Sequence, residues 1–178
     1  MARDKLISQK ILKKVQDYIM FKMENNIKDN DEFSKLSEIL PESLVRKIAC
    51  RRVKDLLLKF PAFSKAEEDF LTEVAMNLVL RIYLPYDYIF YQGEEGEQMY
   101  FIIDGKVGLL EDDERRISKQ IESGNYLGEF ALFMPCKRNC SAIAMTYCLI
   151  HILNKEKLEK ILDNFPIMKE QFTKDSKS

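Results

Sequence analysis

What the chain has least of narrows its chemistry first. It carries one histidine, His151, in 178 residues. That residue sits in the apolar run Leu149-Ile150-His151-Ile152-Leu153, where it reads as part of a strand. No Ser-His-Asp or Cys-His set can be assembled around it, and neither a metal centre nor a multi-histidine β-barrel enzyme fits. The four cysteines, Cys50, Cys136, Cys140 and Cys148, include no CxxC pair. They read as reduced thiols of a cytosolic compartment rather than as a disulfide framework. No Walker loop is present. No apolar run approaches the ~20 residues that span a bilayer, and the start lacks the apolar segment of a signal peptide. With 28 Lys and Arg against 29 Asp and Glu, the formal net charge of -1 supplies no cationic excess for nucleic acid. The chain is expected to be cytoplasmic and not an enzyme, touching a membrane only through a parent protein.

What remains is a chain with three zones. Up to Phe60, apolar residues recur at helical spacing: Leu6, Ile7, Ile11, Leu12, Val15, Ile19, Met20 and Met23. Asn25-Asn26 breaks this pattern, and a short helix is expected from Glu32 with Asp31 as its N-cap. Pro41 opens another helix, running through Leu44, Ile48, Val53, Leu57 and Leu58 and stopping before Pro61. Lys5, Lys10, Lys13 and Lys14 read as the solvated face of a packed helix, because acidic and amide residues intervene. Ser64-Lys65-Ala66-Glu67 has the form of a capping box, with Phe70, Leu71, Val74, Ala75, Leu78 and Val79 as the stripe of the helix behind it. From Leu80 short β-type runs follow one another, separated by Pro85-Tyr86, Gly93 to Gly96, Asp104-Gly105, Glu111 to Arg116, Ser123-Gly124 and Met134-Pro135. That spacing predicts an antiparallel sandwich or barrel of about eight strands, with a hairpin at Asp104-Gly105. Asn154 caps a further helix, Phe165-Pro166 interrupts it, and a last helix begins at Ile167-Met168 before a polar tail.

Tyr126-Leu127-Gly128-Glu129-Phe130-Ala131-Leu132-Phe133, followed by Arg138 and Asn139, stands out. A Gly-Glu turn opens a short apolar segment, and a lone arginine arrives across a loop. The set brings an acceptor carboxylate, backbone N–H groups near Ala131 and Leu132, and one guanidinium into a short stretch. A guanidinium forks onto a phosphate, and a helical turn aims free amides at one. The combination suits a small ligand with hydroxyls and a phosphate, bound rather than transformed.

Leu84-Pro85-Tyr86-Asp87-Tyr88-Ile89-Phe90-Tyr91-Gln92-Gly93, Gly96, Met99 to Val107 and the Gly128 to Arg138 cassette together resemble the cyclic nucleotide-binding domain. The resemblance covers about Pro61 to Phe172. It implies an α+β fold: an antiparallel, jelly-roll-like β-roll flanked by an N-terminal helical bundle and C-terminal helices. Val15 to Tyr18, Phe33 to Pro41 and Leu44 to Ile48 are similar to the later C-linker helices of hyperpolarisation-activated and cyclic nucleotide-gated channels. The division implied is a C-linker-like segment at 1–60 and the binding domain at 61–178. The ligand implied is cAMP or cGMP, with no cofactor and no metal. Arg138 would meet the phosphate with the turn at Gly128, Ala131 and Leu132, Glu129 would accept from the ribose 2′-hydroxyl, and Leu109 and Ile121 would hold the purine. Asn139 stands where many channel domains have a threonine that favours cGMP, which leaves the base open. The last helix ends by Ser178, short of the distal residues that close over the base in the family. The function implied is a cyclic nucleotide sensor coupled to gating of a channel or related transporter, with homo-oligomerisation through the N-terminal helices. The alternative is a vestigial domain with a structural or assembly role, against which retention of Glu129 and Arg138 argues. A transcription regulator would need a helix-turn-helix for which no room follows Phe172.

Overall fold

A computed structural model describes residues 9–24, 38–110 and 116–175. Leu6, Ile7, Lys5, Asn25-Asn26, the Asp31 cap, the helix start at Glu32, the acidic turn Glu111 to Glu114 and the tail 176–178 lie outside them. Contacts divide the chain into two compact units, Met1–Pro41 and Glu42–Ser178. Within the first, helix α1 spans Gln9–Glu24 and exposes Ile11, Leu12, Val15, Ile19 and Met20.

The second unit begins with α2, Glu42–Leu57. Its buried stripe is Val45, Ala49, Cys50, Val53 and Leu57, while Leu44 and Ile48 face outward. Phe60 turns extended ahead of Pro61 (φ -77°, ψ 118°), as a residue preceding proline must, and a 3-10 turn occupies Pro61–Phe63. The expected capping box does not form. Ser64 Oγ instead donates to the carbonyl of Pro61 at 2.7 Å, closing that turn. Helix α3 starts later, at Glu68, and runs to Asn77 with Glu67 as an N-cap that makes no side-chain bond. Val79, expected on this helix, opens the first strand.

The eight strands are β1 (Val79–Tyr83), β2 (Tyr88–Phe90), β3 (Gln98–Asp104), β4 (Lys106–Leu110), β5 (Ile117–Glu122), β6 (Tyr126–Leu127), β7 (Ser141–Ala144) and β8 (Cys148–Asn154). They form two antiparallel four-stranded sheets, ordered β1-β8-β3-β6 and β2-β7-β4-β5. Asp104-Gly105 is therefore not a hairpin turn, because β3 and β4 belong to different sheets. It is the corner where the chain changes sheet. Gly105 sits there at φ +98°, with Tyr147 and Cys148 where a Cβ would project. The sequence pattern at a corner and at a hairpin is the same, since both need one residue at positive φ. A four-residue helix α4, Phe130–Phe133, joins β6 to the loop before β7. Asn154 caps α5, Lys155–Asp163, its side chain accepting from the Glu156 amide at 2.9 Å. Helix α6, Pro166–Asp175, takes in the first residues of the expected tail.

Strand alternation sorts the core into two. Tyr100, Ile102, Ile150 and Ile152 face the barrel interior with Val107, Leu127 and Ala142, whereas Met99, Phe101 and Leu153 face a helical cluster. That cluster is built on Phe60, Phe63, Phe70 and Phe172, all buried, and each fully buried ring is worth about 2–3 kcal/mol. Phe63 meets Phe70 edge-on at 5.3 Å, and Phe133 of α4 stacks on Phe172 of α6 at 4.4 Å. Both core faces of β3 and β8 are thus committed.

His151 lies on the helical side of β8, opposite Leu80 and Phe101. Its Nδ1 is buried without a partner among the described residues. Burial, assisted by the positive charge of Arg52, holds its pKa down at about 4. The native state therefore binds fewer protons than the unfolded chain between pH 4 and 6.5, so stability must fall as pH drops through that window. The loss amounts to about 2–3 kcal/mol by pH 4. Urea unfolding at pH 7.5 and pH 5 should show a drop in midpoint that His151→Gln reduces. An identical drop in the variant would assign the acid sensitivity elsewhere.

Candidate ligand-binding site

A cavity of about 450 Å³ opens between the cassette and the β4–β5 hairpin. Its lining includes Leu109, Ile121, Gly128, Glu129, Arg138 and Asn139, six of the eight residues singled out from sequence. The other two are placed differently. Ala131 and Leu132 are buried beneath the cassette, Leu132 within the helical cluster. Their amides close the turn, donating to the carbonyls of Gly128 at 3.3 Å and Glu129 at 3.0 Å.

Arg138 is the structural centre of the site. It is only 8% exposed. Nη2 donates to the Gln98 carbonyl at 2.6 Å and Nη1 to the Gly128 carbonyl at 3.3 Å. Its Cζ lies 4.4 Å from the centre of the Phe90 ring and 5.5 Å from that of Tyr100, within cation–π range. Burial pushes the Tyr100 phenol up, against the pull of Arg138. Among the described residues no carboxylate pairs with the guanidinium. A buried cation balanced by carbonyl dipoles and ring faces alone retains most of its desolvation cost, and an anion entering the cavity would offset it.

The backbone around Arg138 is fixed from the opposite side. Its amide donates to the Glu94 carbonyl and its own carbonyl accepts from Gly93, both at 2.8 Å, while the Gly96 amide donates to the Cys136 carbonyl at 2.8 Å. The loop after β2 therefore serves as a splint for the cassette loop. Gly128 makes the remaining room. It sits at φ +79°, and a Cβ there would lie 2.6 Å from Arg138 Nη1. Only glycine satisfies both demands.

The lining also includes residues that no sequence motif marks as part of the site: Phe90, Tyr126, Lys119, Lys137, Cys136 and Cys140. Phe90 and Lys119 were legible in principle from strand alternation, Lys119 being two residues from Ile121. The rest depend on how the loop returns to the barrel. Lys119, Lys137 and Arg138 face a single described carboxylate, Glu129, which suits an anionic ligand. The β4–β5 register sets Leu109 opposite Lys119 and Val107 opposite Ile121, with a bulge before Leu110 pairs with Ile117.

Residues 80–165 match the family model for the cyclic nucleotide-binding domain. Among curated proteins, the chain is 29% identical over 160 residues to potassium/sodium hyperpolarization-activated cyclic nucleotide-gated channel 1 of Rattus norvegicus, covering 89% of this chain and 17% of the relative. Channel 2 of Mus musculus gives the same identity and span, with 18% of its length covered, and channel 4 of Oryctolagus cuniculus does so with 13%. The chain spans less than a fifth of the length of these relatives. Two antiparallel four-stranded sheets with helices on both sides are the fold of a cyclic nucleotide-binding domain.

Gly128→Ala should lower stability by about 1–2 kcal/mol through the left-handed backbone alone, and more through displacement of the guanidinium. Chemical denaturation reads this directly. A variant as stable as the parent would mean that the turn and Arg138 are not coupled as described.

Proposed function

We propose that this cyclic nucleotide-binding domain senses cAMP or cGMP and passes binding on as movement of its helices. The observation that carries the reading is the buried Arg138 guanidinium, which has no described carboxylate partner and lines a cavity with Glu129, Leu109 and Ile121. Arg138 would receive the cyclic phosphate, exchanging one or both carbonyl bonds for charge-assisted ones. Glu129 would accept from the ribose 2′-hydroxyl, Leu109 and Ile121 would flank the purine, and Asn139 would add an amide beside the phosphate. Gly128 keeps the turn close to the ligand, and Ala131 and Leu132 hold the cassette to the core beneath it. The role is regulatory binding, with no catalytic residue and no cofactor or metal.

The route outward is the cassette helix. Leu132 is buried in the helical cluster, and Phe133 stacks on Phe172 of α6. A ligand that draws on the Gly128–Arg138 turn shifts α4, and α6 must then repack. Coupling of this kind works by differential affinity for the two arrangements. We read 1–60 as a C-linker-like segment and 61–178 as the binding domain of a longer protein, a channel or related transporter gated from its cytoplasmic side. Homo-oligomerisation through the N-terminal helices belongs to the same reading, as does the absence of any nucleic-acid partner.

Calorimetric titration with cAMP and cGMP tests this, on the parent chain and on Arg138→Ala. Loss of the guanidinium should weaken binding by about one to two orders of magnitude, since a charge-assisted bond contributes roughly 1.5–3 kcal/mol. Silence with both nucleotides would instead favour a vestigial domain with a structural or assembly role.

A further inference from the structure

We propose that Lys119 reads the edge of the bound purine and gives the site a preference for a 6-oxopurine, hence for cGMP over cAMP. The inference rests on the nucleotide-binding reading of this cavity and goes beyond it to the base.

The placement follows from register. Leu109 and Lys119 are direct partners across β4 and β5, and Val107 and Ile121 are the next pair on the same face. Because Leu109 and Ile121 line the cavity, alternation puts Lys119 on the cavity side as well, and it is part of the lining. The opposite face of β5 is occupied otherwise: Gln120 donates to Glu122, and Glu122 pairs with Lys106. The Lys119 side chain forms no hydrogen bond or ion pair among the described residues.

Distance from the cassette argues for the base rather than the phosphate. Ala142 of β7, Leu109 of β4 and Lys119 of β5 stand side by side across the second sheet. Two strand spacings, about 9–10 Å, separate Lys119 from β7. Arg138 precedes β7 in the chain, and its guanidinium is turned to Gln98 and Gly128. A ligand anchored by phosphate at Arg138 therefore lays its far end over Leu109 and Ile121, toward Lys119. Lys137, the other lysine of the lining, is next to Arg138 in sequence and belongs to the phosphate end.

The chemistry then separates the bases. An ammonium only donates. The guanine edge offers two acceptors, N7 and O6, whereas adenine places an amino donor beside N7. Lys119 thus finds two acceptors in cGMP and meets a donor in cAMP. The neighbouring aliphatic side chains are indifferent to this difference.

The test is titration of cGMP, cAMP and cyclic inosine monophosphate into the parent chain, Lys119→Met, Lys119→Arg and Lys137→Met. The parent should bind cGMP and the inosine nucleotide more tightly than cAMP, because both carry the 6-oxo edge. Lys119→Met should weaken those two by roughly fivefold or more and leave cAMP unchanged. Lys119→Arg should preserve the preference, and Lys137→Met should weaken all three alike. Equal loss of all three in Lys119→Met would place the ammonium on the phosphate and overturn the assignment. Equal affinity of the parent for cAMP and cGMP would overturn it too, while leaving the sensor reading standing. Failure to bind any of the three removes both together.

Discussion

The guanidinium of Arg138 is the constraint around which the barrel mouth is organised. A permanent cation in a site only 8% exposed must be held, and no described carboxylate holds it. Two backbone carbonyls and two aromatic faces do so. They come from three separate parts of the chain: Gln98 and Tyr100 from β3, Gly128 from the cassette turn, Phe90 from β2. A position satisfied in this way depends on the whole barrel, and it leaves the charge without a counter-ion of its own. The same arrangement explains Gly128, whose missing side chain is the space that Nη1 occupies, and the loop from Gly93 to Gly96, which pins the arginine backbone.

The second organising feature is that β3 and β8 have no idle face. Their inward residues fill the barrel, and their outward residues support the helices. The cassette helix α4 joins the same packing on the helical side, where Phe133 stacks on Phe172 of α6 with Phe60 and Tyr126 packed alongside. The ion pairs that tie α2 to α3, Arg46 to Glu73 at 2.6 Å and Lys54 to Glu68 at 2.8 Å, are at the surface and add little beside this aromatic packing.

How far the sequence could be read depended on whether a feature was local. Helix ends at Pro61 and Asn154 were legible because they follow from the backbone chemistry of one or two residues. Seven of the strands followed from short β-type runs set between turn residues, but β6, two residues paired with Tyr100 and Phe101, is too short to make such a run. The capping box at Ser64 failed because a proline-led 3-10 turn took that serine first. Asp104-Gly105 has the pattern of a hairpin because the turn residues report a positive φ and not which strands the turn joins. In the site, the cassette spacing brought Gly128, Glu129 and Arg138 together on paper. Which face of the cassette turn looks inward, and hence that Ala131 and Leu132 go to the core, needed the packing.

By itself, then, the sequence determined the class of fold, the helical and β zones, and the short offset that groups Gly128, Glu129 and Arg138, since each rests on local periodicity or on residue types at fixed spacing. Only the tertiary structure decided which strands are neighbours, what holds Arg138, and that Lys119 shares a cavity with it. Those depend on contacts between residues far apart in the chain, such as Gln98 with Arg138 and Leu109 with Lys119, which no local pattern encodes.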